Sequence, residues 1–187
     1  MAGYQAAIDL AKTKLDTLDP GLVVKRIGAK WENGKYHIPW FGEFRELYTG
    51  STTETILWLH YLISEGTKPP EEINWIPYRD LPGAKFYEPK FVERGINPLI
   101  RRFGKNPEAL IKAGLALNGK QSDMGDASII LYPFPLIPII YIIWEGDDEM
   151  EAGGGILFDH TAVGWFNAED MAVLGSEGVY KLMKQKI

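Results

Sequence analysis

The feature that most constrains this chain is an apolar run broken by prolines, Ile129–Trp144, which reads IILYPFPLIPIIYIIW. Proline has no amide N–H, breaks a helix interior, and sits in a sheet only at ends, edges or bulges. With Pro133, Pro135 and Pro138 inside it, the run cannot be one helix. Its isoleucines and aromatics suit strands. Ile137–Trp144 therefore reads as a strand, and its lack of polar alternation predicts that both faces are covered. Ser128–Tyr132 reads as the strand before it, with a bulged connection over Pro133–Pro138. Glu145–Glu149 supplies the Gly and Asp residues of a reversal. Gly155–Asp159 is the returning strand, and Gly153–Gly155 suggests backbone close to a neighbour. The whole stretch Ile129–His160 thus predicts a central β-meander over about 127–159. A membrane-spanning reading fails: the run is shorter than the roughly 20 residues a spanning helix needs, and it ends in a cluster of acids.

With 187 residues, 45% of them hydrophobic, the chain fits a single globular domain over 1–187 that can bury a sizeable core. A net charge of −5 argues against a dedicated nucleic-acid partner. The absence of cysteine excludes disulfides, thiolate zinc sites, iron–sulfur ligation and a cysteine nucleophile from this chain alone. The opening MAGYQAAIDLAKTKL is amphipathic and carries no apolar signal block, which predicts a cytoplasmic protein.

Tyr4–Leu18 has helical spacing, and Asp19-Pro20-Gly21 is expected to end it. Leu22–Val24 reads as a short strand. Ile27–Trp31 and Tyr36–Trp40 flank Asn33-Gly34, a two-residue hairpin signal, with a further strand at Phe44–Tyr48. Ser51 and Glu54 have the spacing of a capping box. That helix runs to about Ser64 and is closed by Gly66 and Lys68-Pro69-Pro70. Ile73–Tyr78 reads as a strand followed by a turn at Asp80–Gly83, and Lys85–Glu88 is ambiguous. Pro89 opens a helix toward Phe103 in which Asn97-Pro98 is either a kink or a fresh start. Asn106-Pro107-Glu108 starts another, to Leu117, stopped by Asn118-Gly119. Asn167 caps a helix with Glu169 and Asp170 at its positive end. Gly175–Gly178 is expected to break it before a last helix, Val179–Lys186. The fold class is α+β, with a mainly antiparallel sheet whose meander is covered by several helices.

The succession Leu59-His60-Tyr61-Leu62, Asn74-Trp75-Ile76, Arg79–Gly83 and Tyr87…Phe91…Arg94 is joined later by Phe134-Pro135, Ile137-Pro138, Trp144–Glu149 and Leu157-Phe158-Asp159. Together these resemble domain-of-unknown-function family 3786 over about residues 20–175. The resemblance implies an uncharacterised domain found mainly in anaerobes. It implies a role near redox or corrinoid proteins, because some members look fused to a cysteine-rich iron–sulfur segment. It brings no catalytic residues with it.

The densest polar region is the acidic turn, Glu145, Asp147, Asp148, Glu149 and Glu151, beside Trp144. Asp159 and His160 close the next strand. Clustered carboxylates suit a hard cation such as Mg²⁺ or Ca²⁺, and carboxylates in contrasting environments can act as acid and base. Asp147, Glu149, Asp159 and His160 are the candidate metal ligands, although the spacing is not that of an EF-hand and a plain solvated turn gives the same pattern. Asp126 is a further ligand-binding candidate, as are Tyr87 and Arg94 on one helix–loop face. His60 sits on an apolar helical stripe (Ile56, Leu59, Ile63), where a buried, hydrogen-bonded histidine is the plainer reading than a catalytic one. His37, in the hairpin, is expected to be exposed. Arg94, Arg101, Arg102, Lys105 and Lys112 make a basic surface, either solvated or anion-recognising. No nucleotide-binding, zincin or nucleophile-elbow motif occurs.

Three readings follow. The first is an accessory domain that binds a protein or small molecule through the acidic turn, Trp144 and the aromatic hairpin. The second is a carboxylate- or metal-dependent enzyme using Glu145, Asp147, Glu149 and Asp159. The third is a structural subunit, with a homodimer as its sign. The acidic turn can also face the basic helices within one molecule or across a dimer.

Overall fold

The structure, a computed structural model, describes residues 2–186. Among the described residues, seven α-helices and eight strands alternate irregularly, and the strands form two sheets. Strands β1 (Lys30–Glu32), β2 (Lys35–Trp40) and β3 (Glu43–Glu46) make a small antiparallel sheet. Strands β4 (Trp75–Pro77), β5 (Lys120–Ser122), β6 (Ala127–Phe134), β7 (Ile137–Trp144) and β8 (Gly153–Asp159) make the main one, in the order β4-β8-β7-β6-β5. Every pairing is antiparallel. The α+β class and the central meander are therefore as the sequence indicates.

The proline punctuation resolves into a bulge and a tight turn. Leu131 faces Ile139 and Phe134 faces Ile137, so Tyr132 and Pro133 together oppose Pro138. The freed Pro133 carbonyl accepts the Phe41 amide at 3.0 Å, which ties the small sheet to the main one. Every residue from Ile137 to Ile143 is buried, so β7 is covered on both sides.

Short-range signals account for part of the N-terminal third, with corrections. Helix α1 covers Ala2–Leu15. Asp19-Pro20-Gly21 ends nothing; it starts a helix. Asp19 Oδ1 accepts the Leu22 amide at 2.9 Å and Pro20 sits in the first turn, so α2 runs Pro20–Ile27 where a strand at Leu22–Val24 was expected. Gly28, at φ 71°, closes it, which leaves only Lys30–Glu32 for the first hairpin strand. Asn33 (φ 52°) and Gly34 (φ 76°) form the expected turn. A second turn uses Phe41 (φ 48°) and Gly42 (φ 83°) and shortens the following strand to Glu43–Glu46. Helix α3 (Thr52–Ile63) carries the complete capping box. Ser51 Oγ accepts the Glu54 amide at 3.2 Å, and Glu54 Oε2 accepts the Ser51 amide at 2.9 Å.

The ambiguous Lys85–Glu88 region is a 3₁₀ turn (Ala84–Phe86) entering α4 (Glu88–Phe91). The chain continues through a π turn (Val92–Ile96) into α5 (Asn97–Phe103). The Asn97 amide donates back to Val92, and this widened turn accommodates Pro98 without stopping the helix. Helix α6 (Pro107–Ala116) is capped by Asn106, whose Oδ1 accepts the Ala109 amide at 3.2 Å. Strand β5 follows it, an element the sequence reading did not anticipate.

Helix α7 runs unbroken from Ala168 to Met183. The expected break at Gly175–Gly178 does not occur, because these glycines serve packing. A Cβ on Gly175 would lie 2.9 Å from the Phe91 ring and 3.0 Å from that of Phe158, and one on Gly178 would overlap the Tyr141 hydroxyl. Tyr141 Oη then donates to the Gly175 carbonyl at 3.2 Å. Helices α5, α6 and α7 all lie on the sheet face that carries Ile129, Tyr141, Gly154 and Phe158. At the far end, Tyr61 of α3 stacks on Phe134 (ring centroids 4.1 Å apart), and Trp40 meets the same ring at 5.0 Å. Each such buried ring contributes about 2–3 kcal/mol by burial.

Candidate functional site

The acidic turn is ordered by its own backbone. Asp147 Oδ1 accepts the amides of Glu149 and Met150, both at 2.8 Å, and these bonds hold its carboxyl below the usual range. Asp126 Oδ2 accepts the Glu145 amide at 2.7 Å. Glu145 and Asp126 share a hollow of about 420 Å³ with Lys105, Glu108, Ile111 and Gln121. Asp147, Asp148 and Glu149 do not line it; they point to solvent as exposed residues. Trp144 is 46% exposed and lies over Gly153 and Gly155.

Asp159 and His160 are elsewhere. The turn enters β8 at Gly153 and Asp159 is its last residue, about 20 Å farther along at ~3.3 Å per residue. The set Glu145, Asp147, Glu149 and Asp159 therefore does not converge. Asp159 is buried at 1% exposure. Its Oδ1 accepts the amide and hydroxyl of Thr161, while Oδ2 has no hydrogen-bond partner and lies 3.6 Å from His160 Nδ1. Among the described residues, no three His, Asp or Glu side chains come together as metal ligands.

The acidic turn does lie beside the basic helix. The Gly146 amide points to the Gly104 carbonyl at 3.4 Å, and Gly104 abuts Ala152. Yet among the described residues no ion pair joins the turn to Arg101, Arg102 or Lys105. Lys112 pairs with Glu108 one helical turn away, at 3.7 Å. Arg94, on the π turn, is exposed. His37 is half-buried, not exposed, because its strand lies in the middle of the small sheet.

His60 is where distant residues converge. Its Nδ1 lies 2.8 Å from Oδ2 of Asp170, 110 positions away on the first turn of α7. The Asp170 amide is itself held by Asn167 Oδ1 at 2.9 Å, so the cap that starts α7 also positions the carboxylate. The two side chains are 25% and 10% exposed. They line one wall of an open cleft of about 440 Å³ with Lys14, Glu65, Trp165 and Asn167. A carboxylate oxygen accepts from the ring, which places a proton on Nδ1 and, whenever the ring is neutral, leaves Nε2 as an acceptor. The preceding residue of α7 holds another sequence candidate: Tyr87 Oη donates to Glu169 Oε2 at 3.1 Å, which raises the Tyr87 hydroxyl above its usual range. Below them Tyr78 donates to the Ala168 carbonyl at 2.8 Å, and burial pushes its hydroxyl up to about 12.

The family model described as Domain of unknown function (DUF3786) matches residues 19–181. The chain belongs to this family. No curated protein and no solved structure matches it.

The DUF3786 span takes in His60, Tyr87, Glu169 and Asp170. In this DUF3786 chain the imidazole is oriented by a carboxylate, which suits it to accept a proton or a hydrogen bond at Nε2. Ser64, one turn on from His60, is not a nucleophile paired with it. Its hydroxyl lies 2.6 Å from both the His60 and the Trp165 carbonyl oxygens, where it can only donate. Sequence reasoning found His60 and Tyr87 but assigned Glu169 and Asp170 to the helix terminus alone. The available signal was that a histidine on an apolar stripe needs a polar partner.

Proposed function

We propose that this DUF3786 domain is a cytoplasmic accessory domain that binds a small polar molecule in the cleft between α3 and the start of α7. The observation that carries this reading is the 2.8 Å His60–Asp170 pair on the cleft wall. Pairing a histidine with a carboxylate across two helices fixes the ring in one tautomer and orientation, as recognition of a ligand group requires. Pockets that hold small ligands run to about 300–1,000 Å³, and this open, mainly polar cleft falls within that range of volume. No described helix is long and apolar enough to cross a membrane. The acidic turn offers a second, more exposed surface, but its carboxylates diverge.

The test is a metabolite panel followed by NMR of the His60 ring and of the Glu65 and Gly164 amides. Ligands of this site shift those resonances together, and His60→Gln weakens their binding at a stability cost of about 1.5–3 kcal/mol from the lost Asp170 bond. Ligands that shift only residues 145–151, with the His60 ring unmoved, would move the binding surface to the acidic turn.

A further inference from the structure

The charges at the cleft rim define the class of ligand. Lys14, in the last turn of α1, and Glu65, just after α3, both line the cleft and are exposed. Among the described residues neither takes part in an ion pair, with the other or with any third group. The remaining carboxylate, Asp170, is already engaged by His60. One ammonium and one carboxylate, neither in an ion pair among the described residues, therefore line the same open cleft as the His60 ring between α3 and α7. Ile63, half-buried, is the apolar side chain exposed to the same cleft.

Resting on the reading that this cleft is the binding site, we infer that its ligand is a small zwitterion of the amino-acid type. The ligand carboxylate meets the Lys14 ammonium, the ligand ammonium meets Glu65, and a ligand N–H or O–H donates to His60 Nε2. The ligand side chain lies on Ile63. A ligand bearing only one charge leaves one rim group without a partner, and discrimination comes from that unmet charge. The rim pairs are partly solvated, so affinity is modest and salt-dependent.

The experiment titrates the full chain, followed by NMR of the His60 ring and the Glu65 and Gly164 amides, with L-leucine, N-acetyl-L-leucine and L-leucinamide. The expected result is that L-leucine binds up to about fivefold more tightly than either singly charged analogue, the limit for one solvated ion pair. Lys14→Gln should bring L-leucine down to the level of L-leucinamide, and Glu65→Gln down to that of N-acetyl-L-leucine. Both residues are exposed, so neither change threatens folding. Equal binding of all three probes overturns the zwitterion assignment while leaving the cleft as a binding site. Cleft shifts with other metabolites but none with the leucine series overturn it as well. Silence of these resonances toward every compound overturns both the assignment and the reading beneath it.

Discussion

Gly178 of α7 sits directly against the hydroxyl of Tyr141 on the central strand, with no room for a Cβ between them. Backbone and ring meet because residue 178 has no side chain, and Tyr141 gains the Gly175 carbonyl as an acceptor. Burial pushes the Tyr141 hydroxyl far above its usual range, so it stays a neutral donor at any pH the protein meets. Overpacking such a contact costs about 1–3 kcal/mol. Gly178→Ala should lower stability by about that amount in urea unfolding. Adding Tyr141→Phe, which removes the clashing oxygen, should recover part of the loss; strict additivity of the two changes would disprove the contact.

The His60–Asp170 pair joins α3 to α7, and a hydrogen bond to a charged group contributes about 1.5–3 kcal/mol. Asp170→Asn should cost about that much and release the His60 tautomer. In ¹⁵N spectra the wild-type ring should be protonated at Nδ1 and bare at Nε2, and the variant should lose that preference. An unchanged tautomer in Asp170→Asn would remove Asp170 as the orienting group.

Ser51 starts α3 with a complete capping box. Ser51→Ala should destabilise by about 1 kcal/mol, read as a lower urea midpoint with an unchanged slope.

Two carboxylates near the α3–α7 contact should titrate with opposite effect. For Glu54, burial works to raise the carboxyl. Bonds from the Ser51 amide and hydroxyl, the Lys181 charge and the Trp40 indole outweigh it, and the net shift is downward. A lowered carboxylate stabilises the fold above its unfolded pKa, and that contribution is lost as pH falls through the folded value. The stability gap between wild type and Glu54→Gln should therefore narrow on acidification below about pH 4.5. Glu177 is raised, first by burial and then by Glu54, against the pull of Lys181 and Lys184. Its favourable contribution is complete below the unfolded pKa and is lost as pH rises through the folded value. Glu177→Gln should therefore be more stable than wild type at neutral pH and lose that advantage near pH 4. Two parallel stability–pH profiles would contradict both assignments.

Asp126 holds the acidic turn through the Glu145 amide. Asp126→Ala should speed hydrogen exchange at Glu145 without lowering global stability by more than about 1 kcal/mol. An unchanged exchange rate would show that the turn is held by Asp147 alone.

The sequence by itself determined what rests on neighbours in the chain. The Ser51–Glu54 box, the Asn33-Gly34 turn, the Asn106 and Asn167 caps and the proline-punctuated meander were all legible, because each needs only a few adjacent residues to close its hydrogen bonds. Tertiary structure decided the features whose residues have two local uses. Asp19-Pro20-Gly21 serves equally to end a helix or to begin one, and the packing of Val23 and Ile27 into the core chose the second. Gly175 and Gly178 look like breakers until Phe91, Phe158 and Tyr141 occupy the space their missing side chains leave. The candidate site divides the same way. His60 announced by its apolar surroundings that it needed a polar partner, but choosing Asp170 from all the acids required helices 110 residues apart to pack side by side. A hydrogen bond at 2.8 Å is a statement about three-dimensional distance, and local spacing carries no information about it.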